Sequence, residues 1–152
     1  PPDLPAVDRE YLIVQSEVYL GPQGGIADAG RIAAERPDLV VFNGYANQYD
    51  HAPLTARVGE RVRLWVLDAG PSRATSFHVV GGQFDTLFRE GAWLLGGPGA
   101  PPTTGGAQAL ALQPAEGGFV ELTFPEPGHY PAVSHVMVDA ERGAHAVVEV
   151  SP

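Results

Sequence analysis

The chain has 152 residues, enough for one domain, with 44% hydrophobic and 18% charged residues, the balance of an ordinary globular protein. Its formal charge is −9, with nine basic residues that are all arginine, so it would repel a phosphate backbone and nucleic acid is not an expected partner. Cysteine is absent, which excludes disulfides, thiolate zinc sites, iron–sulfur clusters, cysteine nucleophiles and a self-contained blue-copper centre, since the last needs a thiolate beside two imidazoles.

No run approaches the roughly 20 apolar residues that span a bilayer, and the N-terminus carries no signal-peptide pattern. The opening Pro1-Pro-Asp-Leu-Pro5 lacks a methionine and reads as a linker over residues 1–10 of an excised or processed piece, with partner domains expected upstream. From Tyr11 onward the segments read as strands. Tyr11 to Leu20 is rich in β-branched and aromatic residues and ends at Gly21-Pro22. Ile26 to Arg36 has apolar residues at helical spacing and Pro37 as a stop, which predicts a short helix. Leu39-Val-Val-Phe42 is a short apolar run ending in Asn43-Gly44, a turn signal.

Val58-Gly-Glu-Arg61 predicts a turn into Arg61–Leu67, where Val62, Leu64 and Val66 alternate with the opposite-facing Arg61, Arg63 and Trp65. Further strands are predicted at Ser76–Val80, Ala107–Leu112, Gly118–Phe124, His129–Val136 and Ala144–Val150. Gly96 to Gly106 reads as a flexible loop by composition. About eight strands at regular spacing predict an antiparallel sandwich or barrel over residues 11–152.

Histidine supplies the candidate chemistry: His51, His78, His129, His135 and His145. Their spacing matches no metal signature. His129 and His135 are six residues apart in one predicted strand, about 20 Å when extended, too far to share one ion. His51, His129 and His145 read as solvated or structural. Asp139-Ala-Glu141 reads as a solvated turn or helical end. No Gly-x-Ser-x-Gly elbow and no strand–helix phosphate loop is present.

Two segments carry a resemblance. Phe77-His-Val-Val-Gly-Gly82 and Pro127-Gly-His-Tyr-Pro-Ala-Val-Ser-His135 are similar to paired motifs of the second cupredoxin domain of copper nitrite reductases and related multicopper oxidases. Val40–Gly44, Leu54–Glu60 and Gly117–Phe124 fit the same domain in the same order, so the similarity runs from about Tyr11 to Val150. It implies a cupredoxin-like Greek-key β-sandwich that lacks type 1 copper. Further, it implies that His135 is one ligand of a type 2 copper shared with another subunit, that His78 is the proton-relay histidine above it, and that Val80 lines the substrate pocket.

The implied partner is the N-terminal cupredoxin domain of the same or a neighbouring subunit, in a homotrimer outside the cytoplasm. Reduction of nitrite consumes one electron and two protons, so a metal and a group titrating near neutrality make chemical sense together. The sequence departs from the family in three places. Gln83 stands where a second histidine follows Gly-Gly, Ala109 beside Gln108 stands where a hydroxyl supports the relay histidine, and Ser134 replaces an asparagine. The competing reading is a cupredoxin-like module that serves assembly or partner binding without catalysis.

Overall fold

The computed structural model describes residues 1, 3–102 and 105–152. Among them the strands are β1 (Arg9–Val18), β2 (Leu39–Phe42), β3 (Leu54–Arg57), β4 (Arg61–Asp68), β5 (Thr75–Val79), β6 (Thr86–Arg89), β7 (Ala92–Leu95), β8 (Ala109–Leu112), β9 (Gly117–Thr123), β10 (Gly128–Ser134) and β11 (His145–Ser151). The helices are α1 (Ala29–Ala33), α2 (Gln48–His51) and α3 (Met137–Glu141). None is long and apolar enough to cross a membrane.

The strands form two layers, one ordered β2-β1-β4-β9-β6-β7 and the other β3-β11-β10-β5-β8. Inward side chains from both fill one apolar core that includes Phe42, Leu64, Phe77, Leu112, Leu122 and Val148. The expected β-sandwich is thus the fold. Its sheets are mixed, however, because β1 pairs parallel with β4 and β11 parallel with β3. The chain visits the other layer between the members of each parallel pair, which is how a sandwich supplies the crossover that parallel neighbours need.

Three strands were not anticipated: β3, β6 and β7, each only four residues long. Length alone does not set them apart, since β2 is equally short; their neighbours in the sheet fix them. The predicted helix contracts to Ala29–Ala33. Asp28 caps it by accepting from the Gly30 and Arg31 amides at 2.8 and 3.0 Å. Glu35 then adopts φ 51°, and the helix buries no residue, so no tertiary packing lengthens it. Asn43 and Gly44 do take positive φ, 54° and 80°, as their turn signal demands. Of the predicted loop at 96–106, Thr103 and Thr104 lie outside the described residues.

The alternation in β4 places Val62, Leu64 and Val66 in the core, as predicted. The same alternation turns Arg63 away from that core, yet its side chain is only 1% exposed. A second, smaller layer covers it. The guanidinium donates to Glu121 Oε1 at 2.7 Å and to the Pro5 carbonyl at 2.7 Å, and it also meets Glu10. Its Cζ lies 5.2 Å from the centroid of Phe119 and 5.8 Å from that of Trp65. Phe88 stacks on Phe119 at 5.2 Å and Trp93 meets it edge-on at 5.4 Å. Arg61 holds the other oxygen of Glu121 at 2.9 Å and clamps Asp85 with both terminal nitrogens. Segment 5–10 is therefore part of this packing.

Removing one partner of a buried ion pair costs about 3–5 kcal/mol because the survivor stays buried and uncompensated. Glu121 keeps Arg61, so Arg63→Ala is expected at the low end, about 3 kcal/mol less stable in urea unfolding. Arg63→Met, which restores the apolar stem over Phe119, should recover part of that loss.

Candidate functional site

The site begins with the register between β5 and β10. Ser134 stands opposite Phe77, Val133 opposite His78 and Ala132 opposite Val79. Phe77 and Val79 are fully buried, so the pleat sends His78 between them to the outer face of the sheet. β10 ends at Ser134, and the His135 amide then donates to the Ser76 carbonyl at 2.7 Å. That bond holds His135 beside β5 as the chain leaves the sheet. The two imidazoles meet edge to face with centroids 5.5 Å apart.

His78 is half-buried and His135 is exposed. His78 Nδ1 lies 2.5 Å from the Gln108 carbonyl oxygen, which can only accept, so Nδ1 carries the proton. In the neutral ring Nε2 then keeps its lone pair. Ala109 stands directly opposite His78 in the β5–β8 pairing. The position expected to carry a hydroxyl is thus adjacent, and a backbone carbonyl one residue earlier supplies the contact. Sequence reasoning missed this partner because a carbonyl leaves no mark on residue type.

Val80 lies just beyond β5, 45% exposed, with its amide donating to the Pro131 carbonyl at 2.8 Å. The Gly81-Gly82 pair that follows has two separate physical reasons. Gly81 adopts φ 82° against the Tyr130 ring, and a Cβ on Gly82 would come within 2.8 Å of Leu122 Cδ1. The exposed Gln83 packs against Gly106, where a Cβ would lie 2.6 Å from its Cδ.

The remaining histidines separate cleanly. His129 is exposed on β10, and His51 is exposed at the end of α2. His145 on β11 places both ring nitrogens against acceptors: Nδ1 is 2.9 Å from the Ala140 carbonyl and Nε2 is 3.0 Å from Asp50 Oδ1. Burial opposes its charge, but the Ala140 carbonyl and Asp50 together outweigh that and raise its pKa above the ordinary histidine value. Its structural reading gains a specific partner, Asp50, which neighbours in sequence could not reveal.

Asp139 requires a correction. It is fully buried in α3 rather than solvated, gripped by Arg73 Nε at 2.8 and 3.0 Å with Arg142 at 3.7 Å. Helix α3, which follows His135, is pinned to the loop before β5 by that pair. Among the described residues no group of three or more His, Asp or Glu side chains is placed to enclose a metal ion.

Because the folded-state pKa of His145 is raised, its contribution to stability is full below about pH 6.5, the ordinary histidine value, and is lost as pH rises through the folded pKa. Asp50→Asn is expected to lower the His145 pKa in an NMR titration and to abolish the stability difference that His145 makes between pH 5 and pH 8 in urea unfolding.

No family model matches the chain. Curated relatives do. The copper-containing nitrite reductase of Neisseria gonorrhoeae is 34% identical over 155 residues, covering 97% of this chain and 37% of its own length. That of Alcaligenes xylosoxydans xylosoxydans is 30% identical over 168 residues, covering 95% of this chain and 46% of its own. The chain therefore spans less than half the length of these relatives. Among solved structures, the copper nitrite reductase of Nitrosomonas europaea matches with a TM-score of 0.83 at 30% identity, over 99% of this chain and 53% of that one. The copper-containing nitrite reductase of Thermus scotoductus matches at 0.80 and 26%, over 96% of this chain and 31% of that one. A multicopper oxidase at 23% identity and a TM-score of 0.76 shares the fold. By sequence and by architecture together, the chain is a cupredoxin-type domain related over nearly its whole length to the copper-containing nitrite reductases.

Proposed function

We propose that this chain is the C-terminal cupredoxin domain of a nitrite-reductase-like copper enzyme and contributes one side of a type 2 copper site at a subunit interface. The observation that carries this reading is the His78–His135 pair, two rings at 5.5 Å on an outer sheet face. His135 is an exposed imidazole, and imidazole nitrogen suits Cu(II). His135 would be the ligand. Two more histidines would come from the N-terminal cupredoxin domain of a neighbouring subunit, consistent with the lack of a three-residue metal group among the described residues. When bound, the copper would act as Lewis acid and one-electron relay for nitrite.

His78 has a different part. Its Nδ1 proton is committed to the Gln108 carbonyl, so proton exchange with substrate would use Nε2. Conversion of nitrite to nitric oxide and water takes up one electron and two protons, and His78 would deliver protons from the protein side. Val80, exposed two residues further on, would form part of the pocket wall. A shared site of this kind needs a head-to-tail interface that closes on itself, which supports a homotrimer. The same relationship supports a location outside the cytoplasm. The isolated domain, lacking the partner ligands and a cysteine-based electron donor, is expected to be inactive.

A second reading is favoured by Gln83 and Ala109, which remove the second histidine and the hydroxyl from the surroundings of His78. On that reading the domain serves assembly and the sheet face is a docking surface only. The intact protein distinguishes the two. His135→Ala should abolish the type 2 copper EPR signal while leaving blue-copper absorption, and retention of both signals would sink the ligand role. His78→Ala should keep both signals, lower turnover about 10²–10⁴-fold and flatten the pH profile between pH 5 and 8. An unchanged profile would remove the relay assignment.

A further inference from the structure

Outside the histidine pair, the observation that remains unabsorbed lies at one end of the core. Gln15 and Asp68 are directly paired across the parallel β1–β4 ladder, and both side chains point inward in line with Ile13 and Val66. Gln15 is 1% exposed and Asp68 0% exposed. Gln15 Oε1, Gln15 Nε2 and Asp68 Oδ2 have no hydrogen-bond partner among the described residues. Buried polar atoms are satisfied in the great majority of cases, so three orphans on two adjacent residues point to a ligand.

The chemistry of the three atoms specifies it. They are two acceptors and one donor. A water offers two donors and two acceptors and can serve all three, within the two to four polar contacts typical of an internal water. A cation would serve the two oxygens but face the Gln15 amide hydrogens, and an anion would meet a carboxylate.

The neighbourhood gives the site a mechanical role. Asp68 Oδ1 accepts the Gly70 amide at 3.0 Å, and the Thr75 amide also faces the carboxylate. Thr75 opens β5, is 3% exposed, and its hydroxyl donates to Ser134 Oγ at 3.1 Å. Ser134 directly precedes His135. We propose that Gln15 and Asp68 form an internal hydration site whose ordered water ties the ends of β1 and β4 to the start of β5, the strand that carries His78. Any effect on turnover rests on the reading of His78 and His135 given above, whereas the water site does not.

The charged groups around Asp68 are Glu17 on β1, Asp139 on α3, and Arg73 in the loop between β4 and β5. Glu17 is occupied by the Ser72 and Arg73 amides, each at 2.7 Å, and by the Tyr19 hydroxyl. Arg73 is occupied by Asp139. Burial pushes the Asp68 carboxyl up to about 6; Glu17 and Asp139 add to the rise, and the Gly70 and Thr75 amides oppose it. At this carboxyl the folded state then binds more protons than the unfolded chain, so the contribution of Asp68 to stability falls as pH rises from about 4 to about 6 and stays lower above that.

Water–protein cross-relaxation NMR on the intact protein provides the test and needs no variant. Cross-peaks from a long-lived water to the Gln15 side-chain amide are expected, and their absence would overturn the proposal. Gln15→Leu keeps the bulk but strands Asp68 Oδ2. The unfolding equilibrium constant should therefore rise about tenfold at pH 8 and less at pH 5, where Asp68 is protonated. A Gln15→Leu protein as stable as the parent or more stable at both pH values would show that no water bridged the pair. Asp68→Asn preserves an acceptor for Gly70 and should erase the stability change between pH 4 and pH 6; persistence of that change would exclude Asp68 as its source. Neither readout involves copper or turnover, so failure here and failure of the copper reading are separable.

Discussion

Everything of chemical interest in this domain depends on the register of β5 against β10. Phe77 and Val79 are both fully buried, and the two-residue period of a strand leaves His78 no choice but the outer face. A slip of one residue would drive the imidazole into the core and a phenyl ring into solvent, reversing the whole strand. Two buried side chains worth about 1.5–3 kcal/mol each thus fix the direction of a polar one. The same register brings Ser134 opposite Phe77, so β10 ends at the level where His135 can bond to β5. The histidine pair is a by-product of core packing, held without any direct bond between the rings.

The two outer faces of the sandwich have been put to different uses. On the six-stranded sheet, Arg63, Glu121 and Arg61 are sealed under an aromatic layer and the N-terminal segment, a second interior of mixed character. On the five-stranded sheet, the outer row across the centre reads His145, Val133, His78 and Ala109, two imidazoles separated by a valine. Two acids beside it are engaged, Asp139 with Arg73 and Asp50 with His145, whereas Glu141, which lies beside Val133 and His145, and Glu149 on β11 are exposed.

Much of the fold was legible because strand periodicity is a local property. β1, β2, β4, β5 and β8 to β11 were each found within about two residues, and the alternation in β4 named its core side. What escaped was non-local. The strands β3, β6 and β7 are fixed by their neighbours in the sheet, and α1 lost the length its spacing implied because nothing packs on it. Asp139 reads as solvated in the sequence, and the alternation of β4 does not show that Arg63 is covered, yet both are buried, since their counter-charges arrive from segments 58 and 66 residues away. At the site, Phe77–Gly82 and Pro127–His135 could be singled out by resemblance, but not the carbonyl of Gln108, whose role depends on geometry and not on side chain.

By itself, the sequence determined the inventory: no cysteine, five histidines, alternating strands and a glycine pair with the freedom its turn requires. These follow from composition and from periods of two residues, which need no knowledge of the rest of the chain. Only the tertiary structure decided that His78 and His135, 57 positions apart, stand ring to ring, and that Gln15 and Asp68 share a buried polar end of the core. Such contacts arise when two sheets close on each other and strand registers lock. Register is set by the burial of many neighbours at once, so no single segment carries it.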